Sequence, residues 1–195
     1  SNTKKLLDSY LNSLPDDAVI DHLDLTQTPV QQHSSASINA LLKRNFGLQS
    51  LDASEQAAVQ NADSYLQRLL DCDQMVVAFP LYNFCVPAAI KAWLDAVIQK
   101  DRTFRMTEEG GYEGLCQGKK ALILMTSGGD YSEQPMQAMN LATPLTQNFL
   151  GFMGITCETI SAFGMDQYAD RAPAIVRETQ GQVREYAKRA SQAIT

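Results

Sequence analysis

Two short, continuous apolar runs, Met75–Leu81 (MVVAFPL) and Ala121–Gly129 (ALILMTSGG), sit between stretches whose apolar residues recur at helical spacing. A strand without polar alternation is one covered on both faces, and strands of that kind belong to parallel sheets whose crossovers are helices. Ile155–Gly164 reads as the last strand, and Ala18–Leu25 (AVIDHLDL) alternates like a half-buried one. Between them the helices are marked by their apolar faces. Thr3–Leu14 aligns Leu6, Leu7, Tyr10, Leu11 and Leu14 before Pro15, and Ile38, Leu41, Leu42 and Phe46 indicate a short helix stopped at Gly47. Asp52, Ser54 and Glu55 open a helix with a buried stripe of Ala58, Ala62, Leu66 and Leu69. Pro87 begins another with Ile90, Trp93, Leu94, Val97 and Ile98 on its inner face. Pro135 begins a helical segment that Pro144 is expected to kink, and Ala172–Ala193 closes the chain as an amphipathic helix. The expected fold is α/β: a doubly wound parallel sheet in a three-layer α/β/α arrangement, with residues 1–195 forming one domain.

Several functions are excluded or poorly supplied. The net charge of −6 argues against a nucleic-acid surface, and no apolar run approaches the ~20 residues of a membrane span. Cys72, Cys85, Cys116 and Cys157 are scattered without a CxxC pair, so free thiols in a reducing cytoplasm are expected, with no disulfide frame or zinc site. His22 and His33 are the only histidines, so conventional metal sites and histidine-based triads are poorly supplied. The triphosphate loop, the dinucleotide glycine fingerprint and the GxSxG elbow are all absent.

In a parallel α/β sheet ligands gather at the carboxyl ends of the strands. Two turns occupy that place: Leu81-Tyr82-Asn83-Phe84 and Ser127-Gly128-Gly129-Asp130. The first offers an amide side chain between two flat apolar faces, which suits a planar heteroaromatic ligand such as a flavin or a purine. The competing reading is a surface turn whose aromatics fold onto the neighbouring helix. The second offers close backbone approach at the glycines and the Ser127 hydroxyl, although many tight turns contain Gly-Gly. Cys85 is either a reactive thiol beside the site or an inert one, and Asp130 either an acid–base group or a solvent-facing carboxylate. A site rich in aromatics and backbone donors and poor in acid–base groups fits a cofactor that carries the chemistry itself.

The stretches AFPLYNFCVPAAIKAWLDAVIQKDRTFR, YEGLCQGKKALILMTSGG and FLGFMGI resemble, in order and spacing from about Asp71 to Gly164, the FMN-dependent NADH-azoreductase and NADH:quinone oxidoreductase family, which has a flavodoxin-like fold. The resemblance implies FMN held by Leu81, Tyr82, Asn83, Phe84, Ser127, Gly128, Gly129 and Asp130. Some relatives carry an arginine between the serine and the glycine pair, and this chain does not. It also implies a substrate pocket walled by Phe104, Phe149 and Phe152, with NADH or NADPH as donor and a quinone or azo compound as acceptor. Two electrons would pass in turn through one flavin. A homodimer is expected, with the flavin sites at its interface, because the apolar surface around Phe84, Trp93, Phe104 and Phe152 is extensive.

Members of that family begin with a buried strand and a serine-rich phosphate loop. Here Ser1-Asn2-Thr3 already opens the first helix, with Ser1 placed to meet a phosphate or else left over from cloning. A central strand is therefore missing from the expected sheet, and the native gene product is expected to carry on the order of 10–20 residues before Ser1 to supply it. Three other functions compete. They are a general NAD(P)H-dependent FMN reductase, a flavodoxin-type electron carrier and a flavin-free paralogue serving as a structural dimer.

Overall fold

The computed structural model describes residues 1–192; the expected end of the closing helix, Ala193, lies outside them. Three parallel strands, β1 (Gln74–Pro80), β4 (Lys120–Thr126) and β5 (Thr156–Ala162), pair in the order β1-β4-β5, with Gln74 opposite Lys120 and Lys120 opposite Thr156. Between β1 and β4 the chain forms an antiparallel hairpin of β2 (Phe104–Met106) and β3 (Tyr112–Gly114), which the sequence reading did not anticipate.

Helices cover both faces of the sheet. On one side lie α1 (Asn2–Leu11) and α6 (Ala172–Gln192). Their Leu6, Tyr10, Val176, Val183 and Tyr186 pack with Leu122 and Leu124 of β4. On the other lie α3 (Ala53–Asp71), α4 (Ala88–Val97) and α5 (Ala142–Phe152). There Leu66, Leu69, Trp93, Leu94 and Leu150 pack with Ala121, Ile123 and Met125. Successive residues of β4 thus feed opposite cores, and all five from Ala121 to Met125 are fully buried. Each large side chain so buried contributes about 1.5–3 kcal/mol.

Local signals set the helix starts. Asp52 and Glu55 form a capping box, each side chain accepting the other's backbone amide, and Ser34 and Ser37 do the same for α2 (Ser35–Asn45). In α3 the buried stripe comprises Val59, Ala62, Tyr65, Leu66 and Leu69, with Ala58 only half-buried at its margin.

Three expectations are corrected. Ala18–Leu25 is not a strand: it makes no ladder bonds, Val19 is 99% exposed, and only Leu23 and Leu25 lean on a core. An alternating pattern makes a strand only where a neighbouring strand completes its hydrogen bonds, and among the described residues β1 is paired on its β4 side alone. Pro144 kinks nothing, because a separate turn of 3₁₀ helix (Met136–Met139) precedes α5 and Pro144 falls in the first turn of α5, where its missing N–H costs no bond. Trp93 belongs to the core and not to the surface, in keeping with its place on the inner face of α4.

Candidate functional site

The two turns singled out from the sequence stand side by side at the carboxyl ends of β1 and β4. The first is a two-residue reversal in which Tyr82 and Cys85 exchange backbone hydrogen bonds of 2.9 and 3.0 Å around Asn83 and Phe84. Both central residues have positive φ, 46° at Asn83 and 70° at Phe84. Asparagine tolerates that region, but for a bulky residue such as Phe84 it is an outlier that the surroundings must hold in place. The restraint is visible. The Phe84 carbonyl accepts the amide of Leu141 at 2.8 Å, and its ring meets Tyr131 edge-on. Tyr82, Asn83 and Phe84 are all exposed, while Leu81 is half-buried and donates its amide to the Thr126 carbonyl at 2.8 Å.

The second turn is held from below. The Ser127 amide donates to Ala162, and Gly128 and Gly129 accept backbone amides from Asp166, Gln167 and Gly164. The buried Ser127 hydroxyl donates to the Gly129 carbonyl at 2.6 Å, so its proton shapes the turn. A Cβ at Gly128 would lie 2.2 Å from an Asp166 carboxylate oxygen, so that side chain would have to move aside for any larger residue. Asp130 turns aside. Its carboxylate accepts both the amide and the hydroxyl of Ser132, which hold its pKa below the ordinary carboxylate value.

What the two turns leave for a ligand is backbone. Among the described residues the amides of Asn83, Phe84, Gly128 and Gly129 make no hydrogen bond. The first turn of α1 stands beside them, because the Thr3 hydroxyl lies 2.6 Å from that of Thr126 at the end of β4. Ser1 caps that helix, accepting the Lys4 amide at 3.2 Å, and the helix start presents its own unpaired amides and positive dipole end. Free donors beside flat aromatic faces, with a helix N-terminus close by, fit a planar heteroaromatic ring bearing a phosphate, as in FMN.

The expected pocket residues separate. Phe104 and Phe152 come together with 4.8 Å between ring centroids, and Tyr112, which the sequence reading missed, completes a cluster at 5.5 Å from Phe152 and 6.1 Å from Phe104. Tyr112 was legible in principle, since Gly110-Gly111 marks a reversal between Met106 and Tyr112. Phe149 makes none of these ring contacts; it leans on the core beneath Lys91, whose Nζ sits 5.3 Å from its centroid. A concavity of about 590 Å³ elsewhere, lined by β5 and α6 residues including Glu158, Lys188 and Arg189, involves neither turn. One of about 300 Å³ borders the second turn at Asp130, Phe163, Tyr168 and Arg171. Among the described residues no cluster of histidine, cysteine or carboxylate could hold a metal ion, and no helix is long and apolar enough to cross a membrane.

A parallel sheet between two helical layers, with its free donors at the strand ends, defines a flavodoxin-like α/β protein. Comparison with known proteins agrees: the family described as having a flavodoxin-like fold matches residues 1–187. An FMN-dependent NADH:quinone oxidoreductase 2 of Bacillus cereus is 36% identical over 180 residues, covering 90% of this chain and 86% of the relative. The protein of the same name from Bacillus anthracis is 39% identical over 160 residues, covering 82% and 76%. The crystal structure of azoreductase from Bacillus anthracis str. Sterne superposes with a TM-score of 0.87 at 31% identity, covering 97% of this chain and 92% of that one. The chain belongs to the family of FMN-dependent NADH:quinone oxidoreductases and azoreductases.

Proposed function

We propose that this protein is an FMN-dependent oxidoreductase that passes two electrons from NADH or NADPH to a quinone or azo acceptor, donor and acceptor using one pocket in turn. The observation that carries the reading is the set of free amides of Asn83, Phe84, Gly128 and Gly129 at adjacent strand ends. FMN, when bound, supplies the chemistry by taking a hydride from the nicotinamide and giving two electrons to the acceptor. The chain's own part is to bind and orient. Amides of the two turns would hydrogen-bond the polar edge of the ring, Tyr82 and Phe84 would lie along its apolar part, and the α1 terminus at Ser1 would meet the phosphate. Leu81, Ser127 and Asp130 would fix the turns from behind. Phe104, Phe152 and Tyr112 would wall the acceptor's place, with Phe149 supporting α5 from the core side.

The same reading takes residues 1–195 as one FMN-binding unit working in the cytoplasm as a homodimer. Tyr82 at 59%, Tyr112 at 62% and Phe152 at 37% exposure leave the aromatic surface of the site open, and a second copy would cover it. The deciding experiment is an absorbance spectrum of the purified protein before and after NADH, followed by steady-state kinetics with a quinone. Bleaching of a bound flavin, steady NADH oxidation and parallel double-reciprocal lines are expected. No bound flavin would leave a structural paralogue, no steady turnover an electron carrier, and intersecting lines would exclude a shared pocket.

A further inference from the structure

Thr126 joins the three segments of the site. Its hydroxyl shares a 2.6 Å hydrogen bond with that of Thr3 in the first turn of α1, across 123 positions of sequence. Its carbonyl accepts the amide of Leu81, which opens the turn after β1. Its peptide leads directly into Ser127 and the glycine turn. Both hydroxyls are buried, Thr3 at 8% and Thr126 at 5% exposure, and among the described residues neither makes another hydrogen bond. The links to Leu81 and Ser127 are backbone and survive any substitution. The tie to α1 depends on the side chain alone.

We propose that Thr126 is a positioning residue whose hydroxyl, acting through Thr3, sets the span between the α1 N-terminus and the two turns, and so gives the site its preference for a flavin that carries a phosphate. This rests on the FMN reading above. A ligand gripped at both ends gains from a fixed span, whereas a ligand gripped at the ring end alone does not. Valine at 126 keeps the volume but strands the Thr3 hydroxyl in a buried place, and α1 must then shift to satisfy it.

The test compares FMN with riboflavin, which lacks the phosphate, by fluorescence titration of the flavin-stripped protein. Thr126→Val should reduce the preference for FMN over riboflavin about tenfold, the worth of one buried hydrogen bond. Thr126→Ser should retain it. Thr3→Val should reproduce the loss from the other side, which keeps the proposal testable if Thr126→Val does not fold, and the double variant should be no worse than either single one. Loosening of the fold would instead weaken both flavins alike and leave the ratio unchanged, and that result overturns the positioning role. A wild-type protein that binds FMN, with the ratio intact in the valine variants, overturns this proposal alone; a wild-type protein without affinity for FMN overturns the functional reading and this proposal together.

Discussion

The rings of Phe84 and Tyr131 meet edge to face, 6.4 Å between centroids at 73°, and Tyr131 meets Phe163 in the same way at 6.0 Å. The turn after β1 is thereby braced against the segment after β4. The positive φ of Phe84 is held by this contact and by the hydrogen bond from Leu141.

Replacing Tyr82 and Asn83 together by alanine should weaken FMN binding by a few kcal/mol, since the stacking face goes and alanine at φ 46° disturbs the free amides. Far-UV circular dichroism should be unchanged, because both side chains are exposed. Unaltered affinity in a flavin titration would remove this turn from the site.

Acid stability should depend on Asp63. Burial alone would raise its pKa, but the bidentate Arg44 guanidinium, at 2.7 and 2.9 Å, and the Gln99 amide outweigh burial and lower it. A depressed carboxylate adds stability above its unfolded pKa of about 3.9 and loses it as pH falls through the folded value. Asp63→Asn should therefore cost about 1–3 kcal/mol near neutrality. It should also flatten the decline below about pH 4, measured by urea unfolding across pH.

At the alkaline end the relevant group is Tyr10, whose pKa is pushed up to about 12 by burial and by the neighbouring Tyr186. A raised pKa gives stability that is complete below the unfolded value of about 10 and lost as pH rises through the folded one. Tyr10→Phe should extend the stable range upward between those limits. Circular dichroism beside tyrosinate absorbance would show it, and identical alkaline midpoints would refute it.

Two glycines give opposite forecasts. A Cβ at Gly114 would lie 2.2–2.6 Å from backbone atoms of Met153 and Gly154, which cannot move aside, so Gly114→Ala should destabilise by about 1–3 kcal/mol or more. Gly151, within α5, has open space around its Cβ position, and Gly151→Ala should stabilise by about 0.5–1 kcal/mol. Thermal melting of the pair checks both.

The strands and helices that carry a complete local signal were legible: the continuous runs of β1 and β4, and the Asp52–Glu55 box of α3. Ala18–Leu25 was misread because alternation records a half-buried surface, whereas a strand also needs a partner for its amides. In the site the two turns were visible as residue types, but not what they offer. That Ser127 directs its proton inward and leaves the amides of Gly128 and Gly129 free is a matter of geometry. The Thr3–Thr126 pair was out of reach, since no local pattern ties residues so distant in sequence.

Because β4 gives Leu122 and Leu124 to one core and Ala121, Ile123 and Met125 to the other, neither helical layer can peel away without exposing the strand on which its opposite is built. Heat should therefore melt both layers in one calorimetric transition, its van't Hoff enthalpy equal to the measured one. The strand that carries Thr126 and Ser127 to the site then belongs to the last part of the molecule to open, and its amides should exchange with solvent only through global unfolding.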